Sequence, residues 1–244
     1  MTDLSPLLGR TALGLVVPPS NPTVEPEIAW LLGGGARIHA ARLPVMPGTD
    51  LAERNRRYPG TYAGTTAAFG SLRLDALAIG LTGASYPLGL DGDAALCEEL
   101  TATTRRPVVT AARALVEALQ AIGAKRIGLL SPYPAWLTGQ AEAFWAAAGV
   151  TLAEVVKIDG EFRAYEMTAE EVSAALDRFT EPRLDAIMLS GTGMITLPAI
   201  VPRATAGRPR VSCNTATAFW LARAAGMRPT QELAAAAPAL AALL

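Results

Sequence analysis

One strand-and-loop pattern occurs twice in this chain, and that repeat restricts the fold more than any other feature. Leu74 to Tyr86 reads L-D-A-L-A-I-G-L-T-G-A-S-Y. Leu184 to Ile195, 110 positions later, reads L-D-A-I-M-L-S-G-T-G-M-I. Each copy is an apolar run that stops at small and hydroxyl residues, the mark of a buried parallel strand entering a loop. In both copies a Thr-Gly pair closes the pattern, as Thr82-Gly83 and Thr192-Gly193. A second pair stands in nearly the same register: Gly14-Leu15-Val16-Val17-Pro18-Pro19 resembles Gly128-Leu129-Leu130-Ser131-Pro132-Tyr133. An internal duplication accounts for both pairs. Open parallel sheets carry their ligands at the carboxyl ends of the strands. Two facing halves would therefore bring four loops to one cleft.

The elements between the repeats fit this scheme. Strands are expected at Ala12–Val17, Ala36–Leu43, Leu74 onward, Pro107–Val109, Arg126–Leu130, Val150–Ile158, Leu184 onward and Arg210–Cys213. Helices are expected from Glu25-Pro26-Glu27 to the Gly33-Gly34-Gly35 stop, and at Tyr58–Arg73, Asp91–Thr104, Thr110–Ile122, Trp136–Ala148, Thr168–Phe179, Pro198–Thr205 and Ala216–Ala225. Asp91 and Asp93 are possible caps, T-A-E-E at Thr168 is a capping-box signature, and Asp159-Gly160 is a turn. The Ala-rich end, Leu233–Leu244, is expected as a packed or dimer-forming helix. Strands alternating with helices predict an α/β fold of two pseudo-symmetric Rossmann-like lobes with parallel sheets, the site lying in the cleft between them. Residues 1–115 with 221–244 would form one lobe, its C-terminal helix returning to it, and 116–220 the other.

Composition excludes several classes. Hydrophobic residues make up 51% of the 244 and charged ones 18%, so a disordered chain is not expected. The net charge of -1 gives no pull toward nucleic acid. No apolar run is long enough for a membrane span, and no secretory signal pattern opens the sequence. Two cysteines, Cys97 and Cys213, make no disulfide framework, which points to a reducing cytoplasm. The single histidine, His39, argues against His-based zinc sites and triads and reads as structural. No glycine pattern matches a nucleotide-binding fingerprint.

The four loops offer Ser20 and Asn21; Thr82, Gly83 and Ser85; Ser131 and Tyr133; and Ser190, Gly191, Thr192 and Gly193. Hydroxyls, an amide and glycine-exposed N–H groups with almost no charge suit a carboxylate or an enolate-like oxyanion. Any one of these residues could equally cap a following helix; together they favour a small-anion site. Asp75 and Asp185 repeat, but they precede their strands and read as turn or cap residues. Glu25 and Glu27 read as helix-start residues, and Cys97 as a core or surface thiol. Cys213, ending a strand near the fourth loop, reads most simply as a buried small residue.

These loops resemble the aspartate/glutamate racemase superfamily, within it the arylmalonate decarboxylase and maleate cis-trans isomerase branch. V-V-P-P-S-N-P-T-V-E-P-E-I looks like the first loop of the isomerases, and G-L-T-G-A-S-Y is similar to G-C-T-S-G-S-F. S-P-Y carries the tyrosine of the branch, L-S-G-T-G resembles L-S-C-G-G, and S-C-N-T-A-T-A-F-W resembles S-S-N-Q-A-T-x-W. The resemblance implies cofactor-independent chemistry on a small carboxylate held between the halves. Asn21 would contact a substrate carboxylate, and Thr82, the Gly83 backbone and Tyr133 would form the dioxyanion hole. It also implies a departure. The racemases and isomerases use two cysteines and the decarboxylases one, whereas Leu81 and Gly191 occupy those two positions here. Racemisation by a thiol pair is thereby undercut, and covalent isomerisation with it.

Three functions follow. The first is a decarboxylase-like lyase on a malonate-type acid through an oxyanion-stabilised enediolate. Its catalytic candidates are Tyr133, Cys213 and Thr192, and Asn21, Leu81, Thr82, Gly83, Ser85, Ser190, Gly191 and Gly193 would form the substrate pocket. The second is a maleate-type isomerase with a non-standard nucleophile such as Cys213. The third is a non-catalytic carboxylate-binding protein. A small carboxylate is the expected partner, with no metal or other cofactor, and a homo-oligomer is possible.

Overall fold

The computed structural model describes residues 11–158, 162–205 and 207–244. It contains two four-stranded, all-parallel sheets of the same topology. Strands β1 (Ala12–Val17), β2 (Arg37–Arg42), β3 (Ala76–Ile79) and β4 (Val108–Thr110) lie in the order β2-β1-β3-β4. Strands β5 (Arg126–Ser131), β6 (Thr151–Lys157), β7 (Ala186–Leu189) and β8 (Arg210–Ser212) lie in the order β6-β5-β7-β8. The inner strands β1, β3 and β7 are buried along their whole length, as parallel strands covered on both faces must be. The edge strands β2 and β6 alternate or stay part-exposed, and His39 is half-buried on the first of them.

The Leu-Asp-Ala repeat now has a physical cause. Asp75 N donates to Ala12 O (2.7 Å) while Asp75 Oδ2 accepts from Ala12 N (2.8 Å). Asp185 does the same with Arg126 and also accepts from Lys125 N (2.9 Å). Those backbone donors hold the Asp185 carboxyl below its ordinary pKa. Each aspartate therefore clamps the start of one strand to the start of its neighbour, as its position before the strand suggests. Leu74 and Leu184 fill the space over the glycine of the adjacent strand. A Cβ on Gly14 would lie 2.8 Å from Leu77 and 2.9 Å from Leu74; one on Gly128 would lie 2.6 Å from the Phe179 ring and 2.9 Å from Leu184.

The helices are α1 (Val24–Leu31), α2 (Leu51–Arg57), α3 (Tyr62–Ala67), α4 (Gly89–Thr104), α5 (Ala111–Ala121), α6 (Ala135–Ala147), α7 (Ala169–Leu176), α8 (Leu197–Ile200), α9 (Cys213–Ala224), α10 (Gln231–Ala236) and α11 (Pro238–Ala241). The capping box at Thr168 is present. Other expectations need correction. The single helix Tyr58–Arg73 is instead a 3-10 turn and the short α3; Thr65 and Thr66 hydroxyls bond back to the backbone, and Gly70 turns the chain at φ 57°. Before it lies α2, where Asp50 caps Glu53 N. Neither Asp91 nor Asp93 caps α4, which starts at Gly89 after a 3-10 turn. Asp93 is fully buried and accepts from Thr110 Oγ1 (2.8 Å). Pro198–Thr205 is one helical turn followed by a 3-10 turn, and Pro238 breaks the Ala-rich end into α10 and α11. The Asp159-Gly160 turn lies outside the described residues.

Helix α9 begins three residues earlier than its sequence suggests. Ser212 caps it, exchanging hydrogen bonds with Thr215, so Cys213 opens a helix rather than ending a strand. Its first ten residues are all buried, which suits a helix packed on α1, α5, α10 and strands of both sheets. Among the described residues, no helix is long and apolar enough to cross a membrane.

Gly128→Ala should lower stability by about 1–3 kcal/mol, because the added methyl meets an aromatic ring held in the core. Gly14→Ala should cost less, since it meets the flexible ends of leucines. Urea unfolding should show lower midpoints with an unchanged slope.

Candidate active site

The strand-end loops do converge, and hydrogen bonds between the two halves hold them together. Thr192 Oγ1 donates to Gly80 O (2.8 Å) and accepts from Asn21 Nδ2 (3.1 Å). Thr23 Oγ1 donates to Gly193 O (2.8 Å). Asn21 Oδ1 meanwhile accepts from Thr23 N and Val24 N, closing the turn into α1. Every polar atom of the Asn21 side chain thus has a protein task, and the residue is buried.

A cavity of about 370 Å³ opens between these loops, a size that suits a small organic ligand. Leu81, Gly83, Tyr133, Gly191, Thr192 and Gly193 lie on its wall. Of the remaining sequence candidates, Asn21, Thr82, Ser85, Ser190 and Cys213 are buried and do not line it.

Tyr133 is one of the polar side chains of that wall. Its ring stacks on Phe162 (5.7 Å, 13°) and meets Tyr86 edge-on (6.1 Å). Burial raises its pKa well above the ordinary value, and the charges Tyr86, Cys213 and Tyr165 would carry push the same way; a hydrogen bond with Thr82 opposes this. The phenol is therefore a neutral donor. Behind it, Thr82 Oγ1 and Cys213 Sγ are 3.0 Å apart. Burial pushes the Cys213 thiol up to about 12, against hydrogen bonds from Thr82 and the Gly191 backbone. It is a protonated thiol one layer behind the cavity. Tyr86 Oη and Ser190 Oγ pair at 2.7 Å and close that layer. Cys97 lies elsewhere, buried in α4, its thiol raised to about 11 chiefly by burial.

Gly191 has φ 95°, a conformation that L side chains rarely adopt. A Cβ there would lie 2.9 Å from Pro132 Cγ and 3.5 Å from Tyr133 Oη. The backbone at this point is built for the absence of a side chain.

Residues 13–237 match the profile of the arylmalonate decarboxylase family. The chain belongs to that family. It is 28% identical over 233 residues to the maleate isomerase of Nocardia farcinica (strain IFM 10152), covering 88% of this chain and 90% of that protein. Among solved structures, the maleate isomerase Iso of Pseudomonas putida S16 superimposes with a TM-score of 0.84 at 22% identity, over 94% of this chain and 99% of that one. An arylmalonate decarboxylase superimposes at 0.70 with 23% identity, over 88% of this chain and 92% of that one. The family thus includes lyases and isomerases.

Sequence reasoning missed two parts of this family member's site. The first is α2 and the 3-10 turn that follows it, which place Arg54, Asn55 and Tyr58 on the cavity wall. The Asp50–Glu53 spacing, a helix-start signal, would have revealed it. The second is Glu27. It sits in the first turn of α1, as expected of a helix-start residue, but its carboxyl group is buried. Its Oε1 accepts from Thr196 N (2.6 Å) and Leu197 N (2.9 Å), and its Oε2 from Thr196 Oγ1 (2.9 Å) and Asn214 Nδ2 (2.7 Å). All four donors come from the other half. No local pattern could have shown this, because the partners lie 169 to 187 positions away.

Burial is the largest influence on Glu27 and raises its pKa; the hydrogen bonds pull it down. A carboxyl raised on folding stabilises most below its ordinary pKa, and that stability is lost as pH rises through the raised value. Glu27→Ala should remove this decline. It should also lower stability by on the order of 3 kcal/mol or more, since several buried donors lose their acceptor. Urea unfolding of both proteins between about pH 4 and about pH 8 checks both effects.

Proposed function

We propose that this protein is a cofactor-independent lyase that removes carbon dioxide from a malonate-type acid. The observation that carries the reading is the Tyr133 phenol, neutral by burial and backed by Thr82, on a wall whose neighbours are Leu81, Gly83 and Gly191. One substrate carboxylate sits against the Tyr133 hydroxyl and the Gly83 N–H, with Thr82 behind the phenol. The other lies along the apolar Leu81 wall, where a charge is poorly solvated and its loss as neutral carbon dioxide is favoured. The bond between that carboxylate and the α-carbon breaks, and its electron pair passes into the retained carboxylate as an enediolate. Neutral donors stabilise this oxyanion more than the ground state. The α-carbon then takes a proton from Tyr133 Oη, and solvent reprotonates the tyrosinate. Thr82 assists by donating to the phenolate oxygen, the same hydrogen bond that lowers the phenol's pKa.

In this reading Leu81 and Gly191 stand where the thiols of related enzymes stand. Cys213 is a supporting thiol: neutral, one layer back, hydrogen-bonded to Thr82. That placement disfavours it as a nucleophile. Thr192 ties the halves together, its hydroxyl bonded to both Asn21 and Gly80.

The second reading is a cis-trans isomerase of a small diacid. The names of the curated relatives favour it, and one solved relative, from Nocardia farcinica, carries a covalently bound succinylcysteine intermediate. Against it here, no cysteine lines the cavity among the described residues.

Incubation of substituted malonates in heavy water should release carbon dioxide and place one deuterium on the α-carbon. Tyr133→Phe should lower kcat/KM by about 10²–10³. Cys213→Ser should stay within about tenfold of wild type, because a hydroxyl can keep the bond to Thr82. Conversion of maleate to fumarate without carbon dioxide release, abolished in Cys213→Ser, would establish the isomerase instead.

A further inference from the structure

We propose that Arg54, Asn55 and Tyr58 form a second polar subsite on the α2 wall of the cavity, and that the substituent it takes carries a carboxylate. The inference rests on the lyase reading and names its substrate class: a malonate whose side group ends in an acid.

Three observations place an anion there. Asn55 is 2% exposed, yet its Nδ2 has no hydrogen-bond partner. A buried amide donor without a partner is costly, so an acceptor atom of a bound ligand is its natural partner. The same Nδ2 lies 3.2 Å from where a Cβ of Gly83 would be, against the loop that holds the reacting acid. Arg54 is half-buried on the same wall and has no carboxylate partner among the described residues. Its one hydrogen bond, Nη1 to Thr49 O (2.6 Å), leaves other N–H groups of the guanidinium to bind. The other lining arginine, Arg163, is already paired with Glu171 (2.5 Å), and the lining acid Glu166 makes no ion pair with Arg54. The Arg54 charge reaches the phenols of both Tyr58 and Tyr165, lowering each against the upward push of burial. The guanidinium therefore lies close enough to the cavity to act on a ligand inside it.

The charge also decides which carboxylate it holds. A leaving carboxylate on Arg54 would be stabilised as a charge that carbon dioxide does not carry, which raises the barrier. The Arg54 partner must persist through the reaction. It is neither the leaving group nor the acid on Tyr133, so it belongs to the substituent.

Calorimetric binding of ethane-1,1,2-tricarboxylate and of phenylmalonate tests this. The first bears an acidic side group and the second an apolar one. The wild type should bind the tricarboxylate more tightly. Arg54→Gln should shrink that preference at least tenfold, Arg54→Lys should keep most of it, and Arg56→Gln, on the exposed face, should leave it unchanged. Tyr133→Phe should weaken both ligands by a similar factor. Equal weakening of both ligands by Arg54→Gln, a wild-type preference for phenylmalonate, or no binding of the tricarboxylate would overturn the subsite. Unchanged binding in Tyr133→Phe would instead sink the lyase reading, so the two failures are distinguishable. Thermal melting of each variant separates loss of binding from loss of fold.

Discussion

The cleft depends on a carboxylate that has been taken out of water. Glu27 faces four donors of the opposite half, two from the backbone at the start of α8 and two from the side chains of Thr196 and Asn214. A buried acid is expensive to desolvate, and only a full set of donors offsets that cost. The two halves must therefore meet in one register. Thr192, between Asn21 and Gly80, and Thr23, against Gly193, repeat the constraint closer to the cavity. Neutral hydrogen bonds at the wall and a satisfied acid behind it make the loops a rigid frame, which is what a preorganised oxyanion site needs.

That frame sorts the polar residues into two layers. Tyr133, Gly83, Gly191 and Thr192 reach the cavity, while Thr82, Ser190, Tyr86 and Cys213 form a hydrogen-bonded layer behind it. Burial keeps the phenol and the thiol protonated. In the lyase reading, such a site favours donation to a developing oxyanion over attack by a thiolate. Arg54 adds a positive charge to the wall that, unlike that of Arg163, has no carboxylate partner among the described residues.

Much of the fold could be read directly. The Leu-Asp-Ala repeat marks a real structural unit, because the leucine packs over a strand glycine and the aspartate clamps two backbone starts. The T-A-E-E cap, the apolar strands and the Thr-Gly loops are local patterns with local causes. Reading was weakest where local signals compete. Threonines and Gly70 shorten the Tyr58–Arg73 helix, and a Ser212 cap starts α9 at Cys213.

By itself, the sequence determined two like sheets of parallel strands and a set of hydroxyl and glycine loops at their carboxyl ends. These follow from periodicity and from residues a few positions apart. Only the tertiary structure decided which loop residues face the cavity. Asn21 turned inward to Thr192, Glu27 became a clamp, Cys213 moved behind Thr82, and α2 brought Arg54 and Asn55 to the wall. Each of these outcomes depends on partners brought together by the packing of one half on the other or of α2 on the strand-end loops. A polar side chain turns toward whichever donor or acceptor that packing supplies, and no spacing along the chain encodes it.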